Sequence, residues 1–350
     1  MPVQKKKPLD AFLNAALKAD LLRTIQKTNP KTLTVLNYHR IADISNVGFD
    51  TFKPNVSADL DAFSNQMDYV ADHYNVIRCD TIRRWLRGEI ELPPNPALIT
   101  FDDGYFDNMK NAYPVLKDKG LSAIIFLASG YMGSQTPFFW DLAAYCFYHS
   151  GKDSVLMPNG ERRSWVDMWS LDKIVNKWVM YVKYLQEDER QAYLERLSAD
   201  LDVAVPDNAF DGLYLSWDQV REMNNEVVEF GAHTVSHPIL SRIPLGQAEK
   251  ELIESKARIE SEIGLEVTTF AYPNGGSSDF SSEVVGLVKK TGYEMAFSLM
   301  PGPASFAEVR KDKFTIRRIF IGNSDTLPRF AAKLMGGERL QQAFQSISPN

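Results

Sequence analysis

Two adjacent carboxylates, Asp102 and Asp103, follow the apolar run Ala97–Phe101, and two histidines, His233 and His237, follow a second apolar run, Val227–Gly231. One carboxylate with two imidazoles is a common facial donor set for Zn2+ or a similar divalent ion, with positions left for water and substrate. The other aspartate is then free to act as general base on the attacking water. The i,i+4 spacing of the histidines predicts that both lie on one face of a single turn. A zincin-type helix is excluded, because Thr234 follows His233 where that motif requires glutamate. Each motif also has a plain structural alternative. Asp-Asp-Gly can be an ordinary turn with a helix cap, and the histidine pair can be a surface feature. Their joint placement at the ends of predicted strands favours chemistry.

The elements that must position these groups alternate along the chain. Thr32–Tyr38, Ala97–Phe101, Ser122–Ala128, Val227–His233, Val267–Tyr272, Glu294–Leu299 and Phe314–Ile321 read as strands. Between them, Ser57–Tyr74 reads as a helix capped by Ser57, and Pro244–Gly264 and Ser281–Gly292 as further helices. Near-continuous apolar strands separated by helices imply a parallel sheet covered on both faces. The expected fold is α/β: a distorted parallel (β/α) barrel of about seven strands over residues 31–335, its chemistry at the C-terminal strand ends. Residues 131–213 carry many aromatics and a helical run but no convincing strand, and are expected to be a largely helical insertion that shapes a substrate cleft, forms a lid or merely packs. Residues 1–30 read as a helical extension and 336–350 as a tail.

Composition narrows the function. At 350 residues, 44% hydrophobic and 24% charged, the chain can build a large core. A net charge of -6 gives no global attraction to nucleic acid or an anionic membrane. No stretch is apolar enough to span a bilayer, and no secretory signal is expected, since Asp10, Asn14, Lys18 and Asp20 interrupt the N-terminal helix. Lys5, Lys6 and Lys7 leave weak peripheral membrane contact open. Cys79 and Cys146 form no CxxC pair and are expected to be free thiols.

"TFDDG" followed by "HTVSH" resembles the NodB-type polysaccharide deacetylases, carbohydrate esterase family 4, over about Leu33–Phe330 apart from the insertion. That family has a distorted (β/α) barrel and removes acetyl groups from sugars with one divalent metal. The resemblance implies that Asp102 is the catalytic base and that Asp103, His233 and His237 hold the ion, expected to be Zn2+. In "FAYPNGG", Pro273 matches the family pattern, and Asn274 stands where a backbone N–H serves the oxyanion. Ala271 stands where the family often has an arginine that orients the base. Arg317 or Arg318 could fill that place, against the alternative of a solvated strand edge. "LSWDQVREM" resembles a groove-lining element, which makes Trp217 a candidate substrate contact, and Ser216 with Gln219 also reads as a capping box. No histidine follows His237 to protonate the leaving amine. Members with permuted motif order carry that histidine on the first strand, where His39 fits.

The resulting expectation is a metal-dependent hydrolase that removes an acetyl group from an N-acetylated sugar of a polysaccharide or its precursor. Alternatives are an O-acetyl esterase or deformylase on a sugar, or a non-catalytic glycan-binding module. Phe138, Phe139, Trp140 and Trp217 could stack on sugar rings or belong to the core. The partner is an acetylated carbohydrate, not nucleic acid. Without a recognisable leader, a cytoplasmic location is expected, with membrane apposition left open.

Overall fold

The computed structural model describes residues 31–337, together with helical Leu13 and Ala15. The expected N-terminal extension with its three lysines, and the tail beyond Gly337, otherwise lie outside the described residues. Seven parallel strands form the centre: β1 (Thr32–Tyr38), β2 (Pro96–Asp103), β3 (Ala123–Leu127), β4 (Val228–Ala232), β5 (Thr269–Ala271), β6 (Met295–Phe297) and β7 (Ile319–Phe320). Their order is β6-β5-β4-β3-β2-β1-β7. The ring is joined in two steps. Ile316 bridges Phe297 of β6, and Ile319 then pairs with Leu36 of β1. Between these contacts the ladder is interrupted at Arg317 and Arg318, and this is where the barrel is distorted.

Strand burial follows from the apolar runs. Every residue of β2, Pro96 to Asp103, is buried, as expected of a strand covered on both faces. Side chains alternate between two cores. Leu33, Val35, Leu98, Ile124, Phe126 and Phe297 belong to one cluster. Leu36, Tyr38, Ile99, Phe101, Ile125 and Leu127 belong to a second, larger one, which also includes the helix residues Phe63, Leu252 and Val284.

Helix α1 (Leu60–His73) begins three residues later than its sequence reading. Asp59, not Ser57, is the cap, its side chain accepting from Ala62 N–H. Ser57 lies in a short strand, Val56–Ala58, paired with Arg40–Ile41. The insertion contains α2 (Phe139–Tyr148), α3 (Met168–Val182) and α4 (Glu187–Leu201). It also holds a hairpin, Ser154–Leu156 with Arg162–Ser164, that sequence reading missed. Its strands are three residues each and one is fully exposed, too short for an alternating pattern to register. Helix α5 (Trp217–Met223) opens on the expected Ser216/Gln219 capping box. Helix α6 (Leu245–Ile263) ends at Gly264 in the left-handed conformation. Both cysteines are free and buried.

Candidate active site

Strand register sets the level of each reactive group. Tyr38 pairs with Phe101, so His39 and Asp102 emerge one step later at the same height. Asp103 pairs with Leu127, which pairs with Ala232, so His233 leaves β4 just above that level and its N–H donates to the Leu127 carbonyl at 2.9 Å. All of these groups lie at the C-terminal ends of parallel strands.

Alternation alone would send Asp102 and Asp103 to opposite faces of β2. The backbone turns instead: Asp103 has φ 75° and Gly104 φ 85°. The two carboxylates therefore meet one imidazole, with His233 Nε2 4.0 Å from Asp102 Oδ2 and 3.7 Å from Asp103 Oδ1. A Cβ at Gly104 would lie 2.7 Å from Met132 Cε and 2.8 Å from Leu127 Cδ2. Gly104→Ala is therefore expected to cost about 1–3 kcal/mol, read as a lower denaturant midpoint.

Asp102 is buried in a set of fixed donors. Arg318 grips it bidentately, Nη1 to Oδ1 at 2.6 Å and Nη2 to Oδ2 at 2.8 Å, and Asn37 Nδ2 donates to Oδ2 at 2.9 Å. Burial alone would raise its pKa. Arg318, His233 and His39 overcome that and hold it well below the usual carboxylate range. The solvated-edge alternative for Arg318 is thus corrected: the side chain is 1% exposed and lies at the interruption before β7. Arg317 points elsewhere, with Nη1 3.5 Å from the Pro301 carbonyl.

Asp103, His233 and His237 bring one donor atom each within 4.8 Å of one another. His237 Nε2 is 3.4 Å from Asp103 Oδ1, which is buried with no hydrogen-bond partner. His233 Nδ1 lies 2.7 Å from the Ala271 carbonyl, which assigns its proton to Nδ1 and presents Nε2 as a bare donor. Burial and then Asp102 push Asp103 well up, so this carboxylate calls for a positive charge beside it. The donor set fits a single divalent ion.

The histidines do not share a helical turn. His233–His237 is a loop in which Thr234 and His237 adopt φ 68° and 58°, and Thr234 Oγ1 accepts from His237 N–H at 3.0 Å. Glu251 of α6 pins the loop. It accepts from Val235 N–H at 2.7 Å, Ser236 N–H at 2.9 Å and Ser236 Oγ at 2.6 Å. The i,i+4 spacing brought the rings together, 4.8 Å between centroids, by a route other than the expected one.

A cleft of about 340 Å³ lies over these groups. His39, Asp102, Asp103, His237 and Asn274 line it, as do Phe139 and Trp140 from α2 and Asn176 and Met180 from α3. The insertion therefore walls the cleft. Asn274 has φ 60°, a conformation asparagine tolerates, and its backbone N–H has no protein acceptor among the described residues. Trp217 does not line the cleft: it packs against the core, with the Arg258 guanidinium 5.1 Å from its ring. Phe138 is buried beneath His237, its ring centroid 5.5 Å away.

His39 faces the cleft, its N–H bonded to Ser57 Oγ at 3.0 Å and its carbonyl accepting from Asn108 Nδ2 at 2.7 Å. Burial pulls its pKa down to about 4 against the opposing pull of Asp102. The ring is neutral at pH 7. Because the unfolded chain takes up this proton near pH 6.5, the fold loses stability as pH falls from about 6.5 toward 4. NMR titration of the metal-free protein is expected to place the midpoint at about 4; a midpoint near 6.5 would show the ring to be solvated.

Asn37, Glu251 and Arg318 were missed or left open in the sequence. Asn37 carried a usable signal, a lone amide inside an apolar strand two residues before a candidate acid. Glu251 carried none, being one of many acids on a long amphipathic helix.

Fold and site together define a (β/α) barrel protein with a carboxylate–imidazole centre at the mouth of the barrel. The family model for polysaccharide deacetylase matches residues 89–296, over half of the chain, and the chain belongs to that family. It is a deacetylase by family, with an acetylated carbohydrate as substrate. A Bacillus subtilis (strain 168) protein named for the same family, YxkH, is 22% identical over 304 residues, covering 86% of this chain and 77% of its own. Among solved structures, the Streptococcus pyogenes deacetylase PplD in complex with acetate has a TM-score of 0.58 at 17% identity, covering 87% of this chain and 99% of its own. IcaB from Ammonifex degensii has a TM-score of 0.55 at 19% identity, covering 87% and 97%. No described helix is long and apolar enough to cross a membrane.

Proposed function

We propose that the protein is a metal-dependent N-deacetylase acting on an N-acetylated sugar of a polysaccharide or its precursor. The observation that carries this is the division of labour between two adjacent buried carboxylates. One is bound by Arg318, and the other has an oxygen with no partner beside two imidazole nitrogens. Asp103, His233 and His237 would hold one divalent ion, with Zn2+ expected from the donor set. When bound, the ion polarises the acetyl carbonyl and lowers the pKa of water.

The chain's own groups do the rest. Asp102, kept ionised by Arg318, takes the proton from attacking water. The Asn274 N–H would hold the negative oxygen of the tetrahedral carbon; Asn274 lines the cleft, and its N–H has no protein acceptor among the described residues. His39 delivers a proton to the departing nitrogen. It is neutral at rest, so it must first take up that proton from bulk water, and Asp102 returns its own proton to water as the products leave. Negative charge developing in the same cleft raises its pKa and favours the uptake.

The test is acetate release from N-acetylated oligosaccharides by the zinc-loaded protein. Asp102→Asn is expected to keep the metal and lose about 10²–10⁴-fold in kcat. An unchanged rate in that variant would remove Asp102 from the mechanism. No acetate from any acetylated saccharide would overturn the proposed function.

A further inference from the structure

We propose that Lys183 and the groove beyond it bind an anionic oxygen group, phosphate or carboxylate, carried by the saccharide on a unit next to the one that loses its acetyl group. This rests on the deacetylase reading above and adds what the substrate must look like.

Lys183 is the residue that follows α3, and it lines the catalytic cleft beside Asp103, His237 and Asn274. Its ammonium has no hydrogen bond and no carboxylate within ion-pair distance among the described residues; Asp279 and Asp103 act on it from farther off, and it lies 6.0 Å from the Tyr184 ring. A cation is favoured at a helix C-terminus, which explains a lysine in that turn but not its place in the cleft wall. Asp279 lines the same cleft, outside ion-pair distance, and is engaged in accepting the Gly276 N–H at 2.9 Å.

Lys183 also lines a second groove, so the two depressions share it as a common wall. Pro238, the residue after His237, lines the groove, which continues past Gln186 and Arg190 to Arg242 and Gln247. Three cations border it against one carboxylate, Glu187, which is already bonded to Arg190. Arg242 donates to the Tyr184 carbonyl at 2.9 Å and lies over that ring at 5.0 Å, with no carboxylate partner among the described residues. The remaining charge is positive. At the catalytic side Asp102 is already paired with Arg318 and Asp103 would hold the ion, so the cations left without a carboxylate partner are Lys183 and Arg242 of the groove. The reacting centre is taken up by the acetamido group itself, so an anion drawn to this groove sits on the far side of Lys183, which places it on a neighbouring unit.

The test compares N,N′-diacetylchitobiose, its 1-phosphate, and a disaccharide pairing N-acetylglucosamine with a uronate. Binding is measured by calorimetry to the zinc-loaded Asp102→Asn chain, where turnover is suppressed, and rates are measured on the wild type. At least one anionic sugar is expected to bind about tenfold tighter than the neutral one, with the advantage shrinking as salt is raised. The choice between phosphate and uronate identifies the group. Lys183→Met is expected to reduce the preference to below about threefold, while Lys183→Arg retains it. Equal affinity for all three sugars, or a preference that survives Lys183→Met, would overturn the proposal. A Lys183-dependent binding preference without acetate release would leave the anion site standing and overturn the deacetylase reading instead.

Discussion

Arg318→Met is expected to destabilise the fold by about 3–5 kcal/mol and to lower kcat at least about 10²-fold at neutral pH. Both effects have one cause. The guanidinium makes two short bonds to Asp102 in a site where each side chain is at most 3% exposed. Removing one partner leaves a buried charge without compensation. Asp102 then loses its largest stabilising neighbour, and burial raises its pKa. The acid limb of the rate–pH profile should move to higher pH, because a protonated Asp102 cannot accept a proton. Arg317→Met, one residue away but half-buried beside the Pro301 carbonyl, is expected to change stability by less than about 0.5 kcal/mol. Chemical denaturation and a pH series on both variants check this. Equal effects at the two arginines would show that the interruption before β7 matters as a strand and not as the holder of Asp102.

Asp103→Ala and His237→Ala are each expected to reduce bound zinc from about one equivalent per chain to below about a tenth. With two donors left from a set of three, the remaining groups compete poorly against water and buffer. Elemental analysis after dialysis reads this without reference to turnover. A second readout is thermal: a chelator should lower the Tm of the wild type and leave that of His237→Ala unchanged, since only a protein that holds the ion gains stability from it. Zinc retained at full stoichiometry in His237→Ala would remove the Asp103/His233/His237 assignment. Glu251→Gln offers an intermediate case. It weakens the support of the loop between the histidines while leaving all three donors in place, so weaker zinc binding is expected rather than none.

The barrel and the chemical groups at its mouth were legible because both are written locally. Apolar runs such as Ala97–Phe101 and Ala123–Leu127, too short for helices and flanked by turn residues, read as buried strands, and acids or histidines that end such runs stand out. Family resemblance then assigned roles to Asp102, Asp103, His233 and His237 from two short motifs. Conformation was less legible where backbone and tertiary contact decide it. Left-handed φ values at Thr234 and His237 replace the expected helical turn, another at Asp103 turns the end of β2, and nothing in the residue types demands them. They persist because Gly104 packs against Leu127 and Met132, and because Glu251 reaches the loop from another helix.

What the sequence by itself determined is therefore the parallel barrel and the chemistry available at its mouth: two carboxylates, three imidazoles and an asparagine close to strand ends. Tertiary structure alone decided which arginine holds Asp102, that Trp217 packs away from the cleft, and that α3 of the insertion supplies a cleft wall with Lys183 just beyond its end. The physical reason is range. Burial pattern and turn chemistry act over a few residues and can be read along the chain. The pairing of Arg318 with Asp102 spans 216 positions and is set by strand register and barrel closure, which exist only once the sheet has curled round.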